Sequence, residues 1–361
     1  MTKRGVTAAA ALIIMALVAA AGLLWWTSPG EKTGSAPFGG PGGGTSAASE
    51  SPSPAPAPFP PPGKVFLGLQ TNLGPHDLSS VDAFAAATGT RPSVLQFSQG
   101  WAADRFDASA FDRIVAAGML PILSWEPWDY TKRDNENQPA YRLSAITAGR
   151  YDDYIRSWAE GIAALAHPVV IRFAHEMNGF WYPWCEQSNG NGRGDYVKAW
   201  RHVHGIFQRS GADNVTWLWS PNVTYAGAAP LKGLYPGDAY VDWIGLSGYY
   251  GTAGREAYIS FDQIFRRTVS ELAGFTRKPI VVTETGATNA SGQQARWITQ
   301  MFAQLPKLPQ IIGVIWFETD KEIDWRIAGA PAAAAAFGKG AAGSRYDARW
   351  TPSSTPRTGG S

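Results

Sequence analysis

The chain has 361 residues, 45% hydrophobic and 12% aromatic, enough for one large folded domain with appendages. Its 31 basic and 29 acidic side chains leave a formal charge of only +2 and form no basic stripe to track a phosphate backbone, which argues against a nucleic-acid partner. Cys185 is the only cysteine, so neither an intrachain disulfide nor a cysteine-based metal site can form, and its thiol carries no catalytic weight. Sixteen tryptophans beside only 17% charged residues suit a surface that lies against something neutral and flat-faced, although most tryptophans in any protein fill core.

At the N-terminus, Lys3 and Arg4 precede an uncharged stretch from Thr7 to Trp26, about the 20 residues that a membrane-spanning helix needs. Residues 1–27 therefore read as a signal peptide or a transmembrane anchor, with the positive flank left in the cytoplasm and the remainder exported. Ala19-Ala20-Ala21 would suit a signal peptidase. Leu23-Leu24-Trp25-Trp26 directly after it favours an uncleaved anchor, because tryptophans suit the membrane interface. Residues 28–64 turn to Gly, Pro, Ser and Ala, a composition that buries too little apolar surface to fold and predicts a disordered spacer. The expectation is an extracellular or cell-envelope domain, secreted or tethered, acting as a monomer.

From Val65 onward, eight short apolar runs alternate with amphipathic stretches: 65–70, 93–97, 120–124, 169–173, 215–219, 243–246, 280–283 and 311–316. Between them lie apolar residues at helical spacing, among them Tyr151, Ile155, Trp158, Ile162 and Leu165, then Val197, Trp200, Val203 and Phe207, then Phe261, Phe265, Val269 and Leu272. Eight strand-helix units over about 270 residues predict an α/β fold of the (β/α)8 TIM-barrel type across residues 65–340, with its site at the carboxyl ends of the strands. A doubly wound open sheet is the rival, but no G-x-G-x-x-G follows the first strand and no P-loop sequence occurs. The Ala- and Gly-rich stretch from Gly329 predicts one short helix, and residues 341–361 a flexible tail.

Under that fold, strand four runs out into RFAHEMNGFWYPW, Arg172 to Trp184, and strand seven into Glu284. Glu176 and Glu284 then reach one face. Two carboxylates at strand ends, each in apolar and aromatic sequence where a charge is costly unless used or paired, are what a retaining glycosidase requires, at a separation of about 5 to 5.5 Å. For either glutamate alone an ordinary charged strand end would be the better reading. Arg172, on the same strand face, would supply a fixed positive charge, whether as a structural ion pair or in the site. His175-Glu176 also raises the zinc-peptidase pattern H-E-x-x-H, but the second histidine is replaced by Gly179 and no helix is expected there. No metal or organic cofactor is called for.

HEMNG with trailing tryptophans, and TETG around Glu284, resemble the two signature segments of glycoside hydrolase family 26, the β-mannanase family. The resemblance extends to SWEPW at 124–128, DWIGLSGYY at 242–250 and WFETDKEIDWRI at 316–327, and so covers the barrel but not the anchor, spacer or tail. It implies a (β/α)8 barrel, with Glu176 as general acid/base and Glu284 as nucleophile. The chemistry agrees: burial among Phe180, Trp181 and Trp184 would keep Glu176 protonated, while Arg172 suits an ionised Glu284. The resemblance also places His175 against the sugar or an acid, and Tyr249, or neighbouring Tyr250, against the nucleophile. Trp316 would form an aromatic floor under the cleaved sugar, Trp181 and Trp184 would line the cleft, and Asn178 would steady the loop or bond a hydroxyl. For Trp101, Trp125 and Glu126, core packing and sugar contact fit equally well. His202 and His204, in a helical stretch, read as scaffold or surface. The implied activity is endo-hydrolysis of a neutral β-linked polysaccharide, β-1,4-mannan first, with mixed-linkage β-glucan or β-xylan as alternatives; a non-catalytic carbohydrate-binding protein is the rival of another class.

Overall fold

The computed structural model describes residues 58–132, 136–252, 257–321 and 323–356. The expected anchor, and the spacer up to residue 57, lie outside the described residues. Among those described, no helix is long and apolar enough to cross a membrane.

Eight parallel strands close into a barrel: β1 (Phe66–Thr71), β2 (Val94–Gly100), β3 (Leu120–Glu126), β4 (Val169–Phe173), β5 (Val215–Trp219), β6 (Trp243–Ser247), β7 (Ile280–Thr285) and β8 (Ile311–Glu318). Each pairs with its sequence neighbours, and β1 closes on β8 from Phe66 opposite Gly313 to Thr71 opposite Glu318. Burial on both faces explains why the strands read as continuous apolar runs rather than as alternating ones. The inner face carries Phe66, Val94, Ile122, Val170, Leu218, Trp243 and Val281 in one cluster. Gly313 is required there, since a Cβ at that position would stand 2.1 Å from the Phe66 ring.

Helices cover the outside. α1 (Asp152–Ala163) buries Ile155, Trp158 and Ile162; α2 (Asp195–Arg209) buries Trp200, Val203 and Phe207; α3 (Phe261–Leu272) buries Phe261, Phe265, Val269 and Leu272 and opens with a Ser260–Gln263 capping box. Tyr151 and Leu165 fall just outside α1, and Tyr196 rather than Val197 is the buried residue at the start of α2. In α2, His202 binds Asp152 at 2.7 Å and His204 packs against Trp217 and Tyr240.

Both expected boundaries move outward. Pro58–Phe59 pairs in parallel with Thr355–Pro356, and Phe59 closes the amino end of the barrel by stacking on Phe66 at 5.4 Å. Tyr346, Ala348 and Trp350 are buried as well. The end of the expected spacer and most of the expected flexible tail are thus part of the folded domain. Isolated aromatics in low-complexity surroundings give no periodic signal, yet burying Phe59 and Trp350 is worth roughly 2–3 kcal/mol each, enough to order a short segment.

Candidate active site

The carboxyl ends of β4 and β7 bring Arg172 and Glu284 together. Arg172 is fully buried, and its guanidinium donates to Ser220 Oγ at 2.9 Å, Ser124 Oγ at 3.1 Å, Ser247 Oγ at 2.9 Å and Glu284 Oε1 at 2.6 Å. Three serines, in β3, in β6 and just past β5, thus aim one fixed cation at one carboxylate. Charge-assisted contacts of this length belong to the strong class of hydrogen bonds. Tyr249 donates to the other oxygen, Glu284 Oε2, at 2.7 Å. The one-residue ambiguity in the sequence resolves to Tyr249, because Tyr250 is buried and its hydroxyl pairs with Ser291 Oγ at 2.7 Å. A register shift between Leu246 and Ser247 sets Ser247 opposite Glu284.

Glu176 lies past the end of β4, where the backbone turns sharply: Ala174 has φ 44° and Glu176 φ 55°. Left-handed conformations at non-glycine residues cost about 1–3 kcal/mol and persist only where their surroundings hold them. Here Trp125 O accepts from Ala174 N at 3.1 Å, and Ser220 O from Glu176 N at 2.7 Å. The carboxyl accepts from Trp181 Nε1 at 2.9 Å on Oε2 and from Asn222 Nδ2 at 3.0 Å on Oε1. Burial first, and the charge of Glu284 second, raise Glu176 above the ordinary glutamate value, against the opposing charge of Arg172 and the hydrogen bonds of Asn222 and Ser247. Asn178 is buried and exchanges two hydrogen bonds with the Asn222 backbone, at 2.9 Å each. It steadies the segment that delivers Asn222 and has no open path to a sugar.

His175 Nε2 lies 3.3 Å from the Tyr182 hydroxyl, with its ring against Tyr182 and Trp184. Burial, then the charge of Arg172, hold its pKa well below the usual histidine value, so the imidazole is neutral at physiological pH. Cys185 is buried behind the loop, its thiol pushed up to about 12 by burial.

A cavity of about 460 Å³ opens over β1, β2, β3 and β8, with Gln70, Glu126, Trp128, His175, Glu284 and Phe317 among its walls. None of the expected aromatics Trp181, Trp184, Tyr249 and Trp316 is among the residues that line it, and for two of them full burial is the reason. Trp316 is fully buried and packs outward against Trp297 and Phe337 of the helical layer, while its neighbour Phe317 faces the cavity and meets Tyr249 edge-on at 5.7 Å. Trp184 is fully buried too, donating to His175 O at 2.6 Å and stacking on Tyr182 at 4.3 Å; it supports the histidine and does not line the cleft. Arg172 likewise sits behind Glu284, 1% exposed, and cannot touch a sugar. Trp101 and Trp125 belong to an aromatic cluster with Tyr154 and Phe173, whereas Glu126 faces the cavity. The sequence does not single out Asn222, which donates to Glu176, or Tyr182 and Phe317, which line the cavity. Of these, Asn222 lies three residues past the end of β5, and its place near a strand end is the signal that points to it.

Glu126 is 8% exposed and accepts from Trp128 Nε1 at 2.8 Å. Burial pushes its carboxyl from 4.5 up to about 7, against the hydrogen bonds of Ser98 and Trp128 and the charges of Lys321 and Arg172. A raised folded value favours folding below the unfolded pKa and loses that contribution as pH rises through the folded one, here between about 4.5 and 7. Glu126→Gln should therefore match the wild type near pH 4 and exceed it by up to about 3 kcal/mol above pH 8. Denaturant unfolding at both pH values checks this; an equal difference at both would remove titration of Glu126 as its cause. Among the described residues, no group of three or more His, Cys, Asp or Glu side chains is placed to hold a metal ion.

A closed (β/α)8 barrel carrying a buried glutamate just past its fourth strand and a part-buried one at the end of its seventh defines a glycoside-hydrolase type of barrel. The sequence model of glycosyl hydrolase family 26 matches residues 128–325, and the chain belongs to that family. Endoglucanase H of Acetivibrio thermocellus is 32% identical over 294 residues, 77% of this chain and 31% of that protein. A mannan endo-1,4-beta-mannosidase of Bacillus subtilis is 26% identical over 244 residues, 60% of this chain and 63% of that one, so the matches span 31% and 63% of these two relatives' lengths. Among solved structures, a GH26 beta-mannanase from Bacteroides ovatus shares the fold with a TM-score of 0.60 at 18% identity, covering 79% of this chain and 90% of that one.

Proposed function

We propose that this chain is a retaining endo-β-glycanase that hydrolyses β-1,4-mannan by double displacement. The observation that carries the reading is the division of labour between two carboxyls in one site. Glu284 has its oxygens held by Arg172 and Tyr249, which suits an anion aimed at an anomeric carbon. Glu176 is driven toward its protonated form by burial and by the charge of Glu284, which suits a proton donor. In the first step a Glu284 oxygen bonds to the anomeric carbon as the bond to the glycosidic oxygen breaks, and the Glu176 proton passes to that oxygen. In the second, Glu176 takes a proton from water as the water oxygen attacks the same carbon and frees Glu284. No metal or organic cofactor enters either step.

Mannan is the first reading because several curated relatives are named mannan endo-1,4-beta-mannosidase. The alternative of a β-1,4-linked or mixed-linkage glucan is favoured by the relative named Endoglucanase H, matched over 77% of this chain; relatives named beta-1,3-xylanase support a xylan reading over shorter stretches. We further propose that the domain acts outside the cytoplasm as a monomer, tethered or released by the segment from Thr7 to Trp26. Phe59 packs at the amino end of the barrel, away from the carboxyl strand ends, so a tether on its N-terminal side would keep the cleft clear. Release of reducing ends from mannan, barley-type glucan and xylan, by wild type and Glu284→Ala, tests the function. Mannan is expected to be cleaved fastest and the variant to be inactive on all three. Faster cleavage of glucan would transfer the substrate assignment, and no cleavage by the wild type would favour a sugar-binding role.

A further inference from the structure

We propose that Tyr130 is the platform of an additional sugar subsite in the cleft, where a further ring of a β-linked glycan stacks on its face. The inference rests on the glycanase reading above and extends it.

A single exposed aromatic usually needs no explanation. Tyr130 differs because three separate features fix an aromatic ring that remains 39% exposed. Its ring lies against the end of β2, where a Cβ on Gly100 would stand 2.5 Å from Tyr130 Cδ1, so glycine is what lets the ring approach. Its hydroxyl engages Asp104, whose own Oδ2 accepts from Gly100 N at 2.6 Å. The backbone beside it is pinned from both sides by Gln138, which accepts from Asp129 N at 2.8 Å and donates to Asp129 O at 3.0 Å. The ring is thus preorganised without being buried in a core. Its open face borders the same cavity as His175 and Glu284, and Leu73, 44% exposed, borders that cavity too. A ligand on Tyr130 is therefore continuous with one at Glu284, which a linear glycan satisfies. Sugar C–H faces pack on aromatic rings, and a ring held in place loses little entropy on binding.

The test is kcat/KM for a series of β-1,4-linked oligosaccharides from dimer to hexamer, taken from whichever polysaccharide the wild type cleaves. Wild type should show a step up in kcat/KM when the chain becomes long enough to reach Tyr130. Tyr130→Ala should lose about tenfold at and above that length and nothing below it, a loss typical of one aromatic contact. Tyr130→Phe, which keeps the face and drops the hydroxyl, should retain the step. An equal loss at every length would mean that the ring only shapes the active site, and an unchanged profile in Tyr130→Ala, or the same loss in Tyr130→Phe, would overturn the stacking platform. Failure of the wild type on every chain would instead remove the glycanase reading itself.

Discussion

Glu284→Gln should lower turnover of polymer by about 10⁴-fold or more, because removal of a covalent nucleophile costs rates of this order elsewhere and nothing in the site replaces it. The amide keeps the side chain's size but cannot form a stable glycosyl bond. It also leaves Arg172, 1% exposed, without its anionic partner, and breaking a buried ion pair typically costs about 3–5 kcal/mol. Activity and thermal stability should therefore fall together. Glu284→Ala opens room beside Arg172, so added azide should enter, attack the opposite sugar face and yield an α-glycosyl azide. Restored cleavage that yields a β-configured glycosyl azide would contradict direct attack by Glu284.

The second large effect belongs to Glu176. Glu176→Gln should cut kcat/KM by about 10²- to 10⁴-fold on natural glycosidic bonds, where a poor leaving group needs a proton, and far less on dinitrophenyl glycosides, which need none for bond cleavage. Equal slowing of both would remove Glu176 from the acid role. The pH profile carries a further signature. Glu176 must be protonated for the first step, and burial with the Glu284 charge raises its value, so wild-type activity should fall on the alkaline side of the usual glutamate range. In Glu176→Gln assayed on the activated substrate, that alkaline limb should disappear. Trp181 and Asn222, which donate to the two oxygens of Glu176, oppose its protonation, which in the proposed mechanism would let the acid become a base once the leaving group has gone.

Much of this site was legible in the residues themselves. The eight apolar runs give the eight strands with ends shifted by at most three residues, strand-end position points to Glu176, Glu284 and the partnership of Arg172, and the family resemblance adds Tyr249. What the runs conceal is which face of each strand points inward, because both faces of a parallel barrel are apolar. Trp316 and Phe317 illustrate it: Trp316 lies outward with Val314, and register shifts between β7 and β8 remove any simple count of alternation. The loop after β4 was opaque for another reason. Its turn depends on left-handed backbone at Ala174 and Glu176, residues with no sequence preference for it, and that geometry sends Trp181 to the acid and Trp184 into the core. Asn222, three residues past the end of β5, gains its meaning once β5 is set beside β4 and its amide meets Glu176. The ends of the domain were hidden because Phe59 and Trp350 are ordered by contacts with chain far away in sequence.

The most direct test of the account is to trap the intermediate it requires. A 2-deoxy-2-fluoro β-glycoside with a good leaving group, matched to the preferred polysaccharide, should inactivate the wild type and add one glycosyl mass to the peptide carrying Glu284. A label on another residue, or turnover with inversion and no adduct, would contradict it.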